Sequence, residues 1–266
     1  TLGTLSADAT WWAFAPAGLD ADFTAEPSGL RYLILAKARD VAGNEQDTFA
    51  AGISSLTIHV DKAEPASSIT VPADDLNGVS GRYKSAAIGK AGNGSRFYGT
   101  SNDVHYSVDN STVAEADVRL SYLLAGDTWY WQSPGFSSGT VALANAWKIT
   151  NISANPPNSD WLYLDDIVWQ TGLGDLEYKL ESRSMDDSRP AADTGDGNWE
   201  SAQSRGTNLK YFIIDDTPPS VLITTPTPNA VRTLPGIGGT ANAELAGFNR
   251  TEIRISTGAF GWYWTG

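Results

Sequence analysis

The chain has 266 residues, of which 41% are hydrophobic, ten are tryptophan and none is cysteine. That length suits about two domains of ordinary size; the aromatic content is too high for a disordered chain, and the missing cysteines exclude a disulfide framework, thiolate zinc sites and cysteine nucleophiles. A formal charge of −13 with a pI near 4.4 repels phosphate backbones and anionic membranes, so nucleic acid is not expected as a partner.

Twenty-six glycines and thirteen prolines punctuate short runs rich in aromatic and β-branched residues, which is the grammar of strands and turns. No stretch repeats apolar residues at helical spacing over three turns, and no run of eighteen apolar residues occurs. Helices are therefore expected to be few and short, and no membrane insertion is expected.

Near the start, Trp11-Trp12 is a first aromatic cluster. Tyr32 to Ala36 reads as a strand, and Asp40-Val41-Ala42-Gly43-Asn44 as a hairpin turn whose Gly43 and Asn44 tolerate positive φ. Leu56 to Asp61 reads as the returning strand. Pro65 then marks a junction, because proline lacks a donor for pairing and stiffens a linker. Gly89 to Gly94 lacks the Lys-Ser/Thr ending of a phosphate loop and reads as a flexible turn. Thr128-Trp129-Tyr130-Trp131 is a second aromatic cluster, followed by a longer and less regular stretch from Gly135 to Asn158. Leu176 to Asp186 and Leu209 to Ile214 read as further strands, Pro218-Pro219 as a second junction, and Trp262-Tyr263-Trp264 as a third aromatic cluster.

The chain repeats itself. Val60 to Pro72 reappears as Ile214 to Pro226 at a shift of 154 residues, and Leu30 to Asp40 pairs without a gap with Leu176 to Asp186. Downstream, Tyr98 to Asn102 answers Gly238 to Asn242, Val118 to Ser121 answers Ile253 to Ser256, and Thr128 to Trp131 answers Gly261 to Trp264. The turn of the middle unit, Asp186 to Asn198, carries an insertion relative to Asp40 to Asn44.

The strand, the turn Asp40 to Asn44, the returning strand Leu56 to Asp61 and the proline-bearing junction together resemble the bacterial immunoglobulin-like repeats of large surface and extracellular proteins. The resemblance implies an all-β chain of tandem immunoglobulin-like β-sandwiches, one complete and two partial at the chain ends, at an extracellular or cell-surface location. Junctions at Asp61 and Asp215 make residues 1–61 the C-terminal part of a sandwich, 62–215 a complete sandwich with insertions, and 216–266 the N-terminal part of a further one. A half-sandwich exposes its core face and strand edges. The expected partner is therefore a further copy, or a continuation of the chain, and the expected job is that of a structural subunit of a fibre, sheath or stalk. The rival reading is an adhesin or glycan-binding surface module.

Candidate sites are few. Asp40, Asn44 and Asp61, and Asp186, Asp187, Asp193, Asp196, Asn198, Asp215 and Asp216, could gather oxygen ligands for calcium at the junctions, though such residues also cap turns through their own backbone. In each Trp-Tyr-Trp trio, Trp129 with Trp131 and Trp262 with Trp264 share a face. Flat faces can stack on sugar rings, and the same placement serves core packing. Tyr32 and Tyr178 read either as tyrosine corners or as core residues. His59 and His105 have no Ser-centred elbow, and the adjacent Asp165 and Asp166 would point apart on a strand, so no catalytic residues and no cofactor besides calcium are expected. Sequons stand at Asn93, Asn110, Asn151 and Asn249.

Overall fold

The computed structural model describes residues 4–5, 12–19, 29–73, 80–91, 95–103, 112–155, 158–170, 173, 176–188, 197–228, 230–242 and 247–256. Nearly all the regular structure of these residues is strand, arranged in several sheets, so the chain is all-β. In chain order the strands are β1 (Thr4–Leu5), β2 (Trp12–Ala13), β3 (Leu30–Leu35), β4 (Ser55–Val60), β5 (Ala66–Val71), β6 (Gly81–Tyr83), β7 (Tyr98–Asn102), β8 (Val113–Leu124) and β9 (Asp127–Trp131). There follow β10 (Phe136–Ser138), the short helix α1 (Thr140–Ala144), β11 (Lys148–Ile149), β12 (Asn151–Asn155), β13 (Asn158–Leu162), β14 (Leu176–Asp186), β15 (Leu209–Ile214), β16 (Val221–Thr225) and β17 (Gly238–Ala241).

Strands β5 to β15 build a body of two facing sheets. The larger runs β10-β9-β8-β14-β15-β6, with β11 also pairing with β8, and the smaller runs β12-β13-β7-β5. Its long strands follow from alternation. Val118, Leu120 and Tyr122 on β8, and Tyr178, Leu180 and Ser182 on β14, point to one face, while Asp117, Arg119, Lys179, Glu181 and Arg183 point to the other. The two strands pair antiparallel with Tyr178 opposite Tyr122 and Leu180 opposite Leu120. Between the sheets, Ile69, Phe97 and Trp161 meet Val118, Leu120, Tyr178, Leu180 and Phe212 in one buried cluster. Aromatic rings interlock there, Trp169 lying 4.8 Å from Tyr178 in an edge arrangement. Two buried hydroxyl pairs stitch the sheets together: Ser67 to Ser182 at 2.8 Å and Ser101 to Ser184 at 2.5 Å.

The flanking hairpins copy parts of this body. In β14–β15, Leu176 stands opposite Ile214 and Tyr178 opposite Phe212; in β3–β4, Leu30 stands opposite Val60 and Tyr32 opposite Ile58. The bridges beyond match as well, Arg39 with Glu45 answering Met185 with Trp199, and Ala51 with Ser55 answering Arg205 with Leu209. Likewise β16–β17 repeats β5–β7. Val221 pairs with Ala241 as Ser67 pairs with Ser101, and each strand pair carries an irregularity at the same place, after Ile223 and after Ile69. A Cβ on Gly99 would stand 1.9 Å from the Ser68 carbonyl oxygen, and one on Gly239 2.1 Å from that of Leu222. Only glycine fits either place.

Exposure separates the copies. Ile69 is 5% exposed and its counterpart Ile223 62%; Leu180 is fully buried and its counterpart Ile34 is 42% exposed.

The body is entered and left at opposite ends of β14. Asn198, which bonds to Asp186 at the end of β14, also contacts the Asp61 carbonyl ahead of β5. Ile214, the last residue of β15, stands opposite Leu176 at the start of β14. Ten residue steps of strand separate these ends by about 33 Å.

Candidate functional site

The turn after β14 is organised by Asp186, which is fully buried. Its Oδ1 accepts the backbone N–H groups of Asn198 at 2.8 Å and Ser188 at 3.0 Å, together with the Ser188 hydroxyl at 2.5 Å. Its Oδ2 accepts Asn198 Nδ2 at 2.8 Å. The same Nδ2 lies 3.3 Å from the Asp61 carbonyl oxygen, so the turn clasps the incoming linker. Asp103, just past β7, completes the group: Asp61, Asp103 and Asp186 each bring a carboxylate oxygen within 4.8 Å of the other two. Asp103 and Asp186 are buried. Like charges this close repel in a low-dielectric site, and an all-oxygen donor set is the kind a hard divalent cation such as calcium takes.

Of the oxygen ligands expected from sequence, the structure gathers Asp61 and Asp186 and adds Asp103, while Asn198 turns its amide nitrogen, a donor, toward them. Asp40 and Asn44 form the corresponding turn of β3–β4, where Asn44 donates its backbone N–H at 2.8 Å and its Nδ2 at 2.7 Å to the Asp40 carboxylate. Gly43 adopts φ 96° in that turn. The Asn44 side-chain bond above all, with its backbone N–H, holds the Asp40 carboxyl below its ordinary value. Asp215 accepts the Thr217 N–H at 2.8 Å and Asp216 the Ser85 N–H at 3.0 Å, both beside the β14 end remote from Asp186. Asp187 is taken up by the Thr112 N–H and hydroxyl. Asp193 and Asp196 lie outside the described residues.

Among the aromatics, Trp131 is 1% exposed and donates Nε1 to the Tyr163 hydroxyl at 2.8 Å. Burial is the main reason the Tyr163 phenol is pushed above its ordinary value. Trp129 stacks on Tyr122 at 6.2 Å against the core. Trp131 therefore offers no face to a sugar. Trp262 and Trp264 lie outside the described residues, as do His105 and the sequon asparagines Asn93 and Asn110; Asn151 and Asn249 are exposed. Tyr178 sits inside the core, where its hydroxyl accepts the Gln170 N–H at 3.4 Å and burial raises its pKa to about 12.

Sequence reading did not find a ladder on the outer face of the larger sheet. Arg119 and Arg183 both lie 4.4 Å from the Trp147 ring, and Arg183 lies 3.9 Å from the Trp199 ring, an arrangement favoured by the negative ring faces. Glu181 receives Arg119 at 2.7 and 2.9 Å and Lys179 at 2.8 Å. Burial would raise the Glu181 carboxyl, but the bonds from Arg119 and Lys179 outweigh it and hold it below its ordinary value. Alternation along β8 and β14 points both arginines outward; no spacing ties them to Trp147 and Trp199, which come from loops.

Among the described residues no helix is long and apolar enough to cross a membrane. Compared with protein-family models, with curated proteins and with solved structures, the chain finds no match.

Proposed function

We propose that this chain is a structural subunit or repeat of an extracellular fibre, sheath or stalk, with a mechanical rather than a catalytic job. In this reading residues 62–215 are a complete immunoglobulin-like sandwich. Residues 1–61 and 216–266 are the two parts of another, completed by a neighbouring copy or by continuation of the chain. The observation that carries it is the double correspondence. β3–β4 reproduces β14–β15 and β16–β17 reproduces β5–β7, rung for rung, yet the flanking copies keep Ile34, Leu56, Val221 and Ile223 exposed at 42%, 55%, 58% and 62%. Apolar faces of this kind are costly to leave in water. Short proline-bearing linkers at Pro65 and at Pro218-Pro219 would then set successive sandwiches in line.

Negative-stain electron microscopy of the native material, with intact mass, tests the reading. Filaments of stacked sandwiches are the expected result. Monodisperse single copies whose flanking hairpins are sealed against each other within one chain would overturn it.

A further inference from the structure

We infer that the apolar face of β3–β4 is covered by the β16–β17 hairpin of a second copy of this chain, joined head to tail; this rests on the split-sandwich reading. The body supplies the template. There β5–β7 lies across β14–β15 through the pairs Ser67 to Ser182 and Ser101 to Ser184. The counterparts of Ser182 and Ser184 on the N-terminal hairpin are Ala36 and Ala38, and those of Ser67 and Ser101 on the C-terminal hairpin are Val221 and Ala241.

Both contacts thus change from hydroxyl-to-hydroxyl to apolar-to-apolar, and each changes on its two sides together. A buried serine set against alanine would lose its hydrogen-bond partner. The flanking hairpins are therefore matched to each other and mismatched to the strands of the body. Two further contacts transfer, whereas the bonds from Ser201 to Glu64 do not, their counterparts being Asp47 and Pro218. The Ser67 N–H bonds to Glu200 at 3.0 Å, and the counterpart of Glu200 is Gln46, whose amide oxygen can accept the Val221 N–H. The Ile69 N–H bonds to the Thr207 carbonyl at 2.9 Å, a backbone contact that passes to Ile223 and Ile53 whatever their side chains.

The linkers agree. Asp61 caps the Ala63 N–H at 2.9 Å and Asp215 caps that of Thr217 at 2.8 Å. Where Asn198 clasps Asp61 inside one copy, Asn44 of the next copy meets Asp215. Polarity follows from the body, which is entered and left at ends about 33 Å apart. The two hairpins of one copy leave the body at these opposite ends and do not cover each other, Ile34 staying 42% and Ile223 62% exposed, so each is open to the hairpin of a neighbour.

The absence of cysteine makes the test clean. In the full chain, Ala36→Cys and Val221→Cys are made separately and mixed under oxidising conditions, and a covalent dimer of doubled mass is expected. The double variant should give a ladder of higher multiples. Ala38→Cys with Ala241→Cys should behave alike, and the crossed pair Ala38→Cys with Val221→Cys should stay uncoupled. A double variant that bridges only within its own chain overturns the proposal. So does a tandem fusion of two copies that couples internally while separate copies never couple, which would make chain continuation the source. Failure of both matched pairs in material that still forms filaments sinks the seam and leaves the fibre standing. Failure without filaments sinks both.

Discussion

In β14–β15 the rung of Tyr178 and Phe212 is 1% and 0% exposed; in β3–β4 the same rung is Tyr32 and Ile58, half-buried, beside Ile34 at 42% and Leu56 at 55%. Register, bridges and turn hydrogen bonds agree between the two. The difference is a facing sheet: β5 and β7 cover the first hairpin, and no described strand covers the second. Local sequence thus sets a hairpin and its register, whereas burial is conferred by a partner that local sequence does not contain.

The largest expected contrast lies on that rung. Phe212→Ala should lower the unfolding free energy of the body by about 3–5 kcal/mol, while Ile58→Ala should leave a single copy within about 0.5 kcal/mol of wild type and weaken self-association instead. Urea unfolding with sedimentation velocity reads both, and equal losses at the two positions would break the comparison.

Next comes Glu181, 4% exposed and paired with Arg119 and Lys179. Glu181→Ala should cost about 3 kcal/mol by stranding those cations, whereas its counterpart Leu35, 51% exposed, should tolerate alanine. The Glu181 carboxyl is held below its ordinary value, so its contribution is whole above the ordinary carboxylate pKa and is lost as pH falls through the lowered one. Glu181→Gln should therefore make the acid limb of a stability–pH curve shallower.

Gly99→Ala should cost about 1–3 kcal/mol by forcing β5 from β7, and Gly239→Ala should spare the body and impair assembly. The acidic group offers a smaller contrast. Calcium should raise the Tm of the wild type by a few degrees, and this gain should vanish in Asp103→Asn yet survive Asp40→Asn; a Tm indifferent to calcium would remove the ion.

The smallest effect belongs to Glu200, whose carboxyl is raised by burial. Its cost is absent at low pH and grows as pH climbs from the ordinary carboxylate value through the raised one. Glu200→Gln, which installs the residue found at position 46, should flatten that stretch of the curve.

The repeat was legible because a hairpin's register is local: Leu30, Tyr32 and Asp40 recur as Leu176, Tyr178 and Asp186 at fixed spacing. The shared face of Trp129 and Trp131 was legible from alternation. The grouping at the junction was not. Asp186 and Asp215 belong to one unit in sequence, yet β14 holds them at opposite ends, and Asp186 meets Asp61 and Asp103 instead. Asp103 reaches the group only through sheet packing, which leaves no periodic trace. The pairing of Trp147 and Trp199 with Arg119 and Arg183 was hidden for the same reason.

The placement of entry and exit at opposite ends of β14 governs how the body answers a pull. Tension applied at Asp61 and Asp215 runs lengthwise along β15, which is hydrogen-bonded on one side to β14 and on the other, in parallel, to β6. Sliding that strand out strains all of its rungs at once, instead of peeling them one after another as a zipper opens. A chain of such bodies would stretch little until a threshold force is reached, and then give way one body at a time.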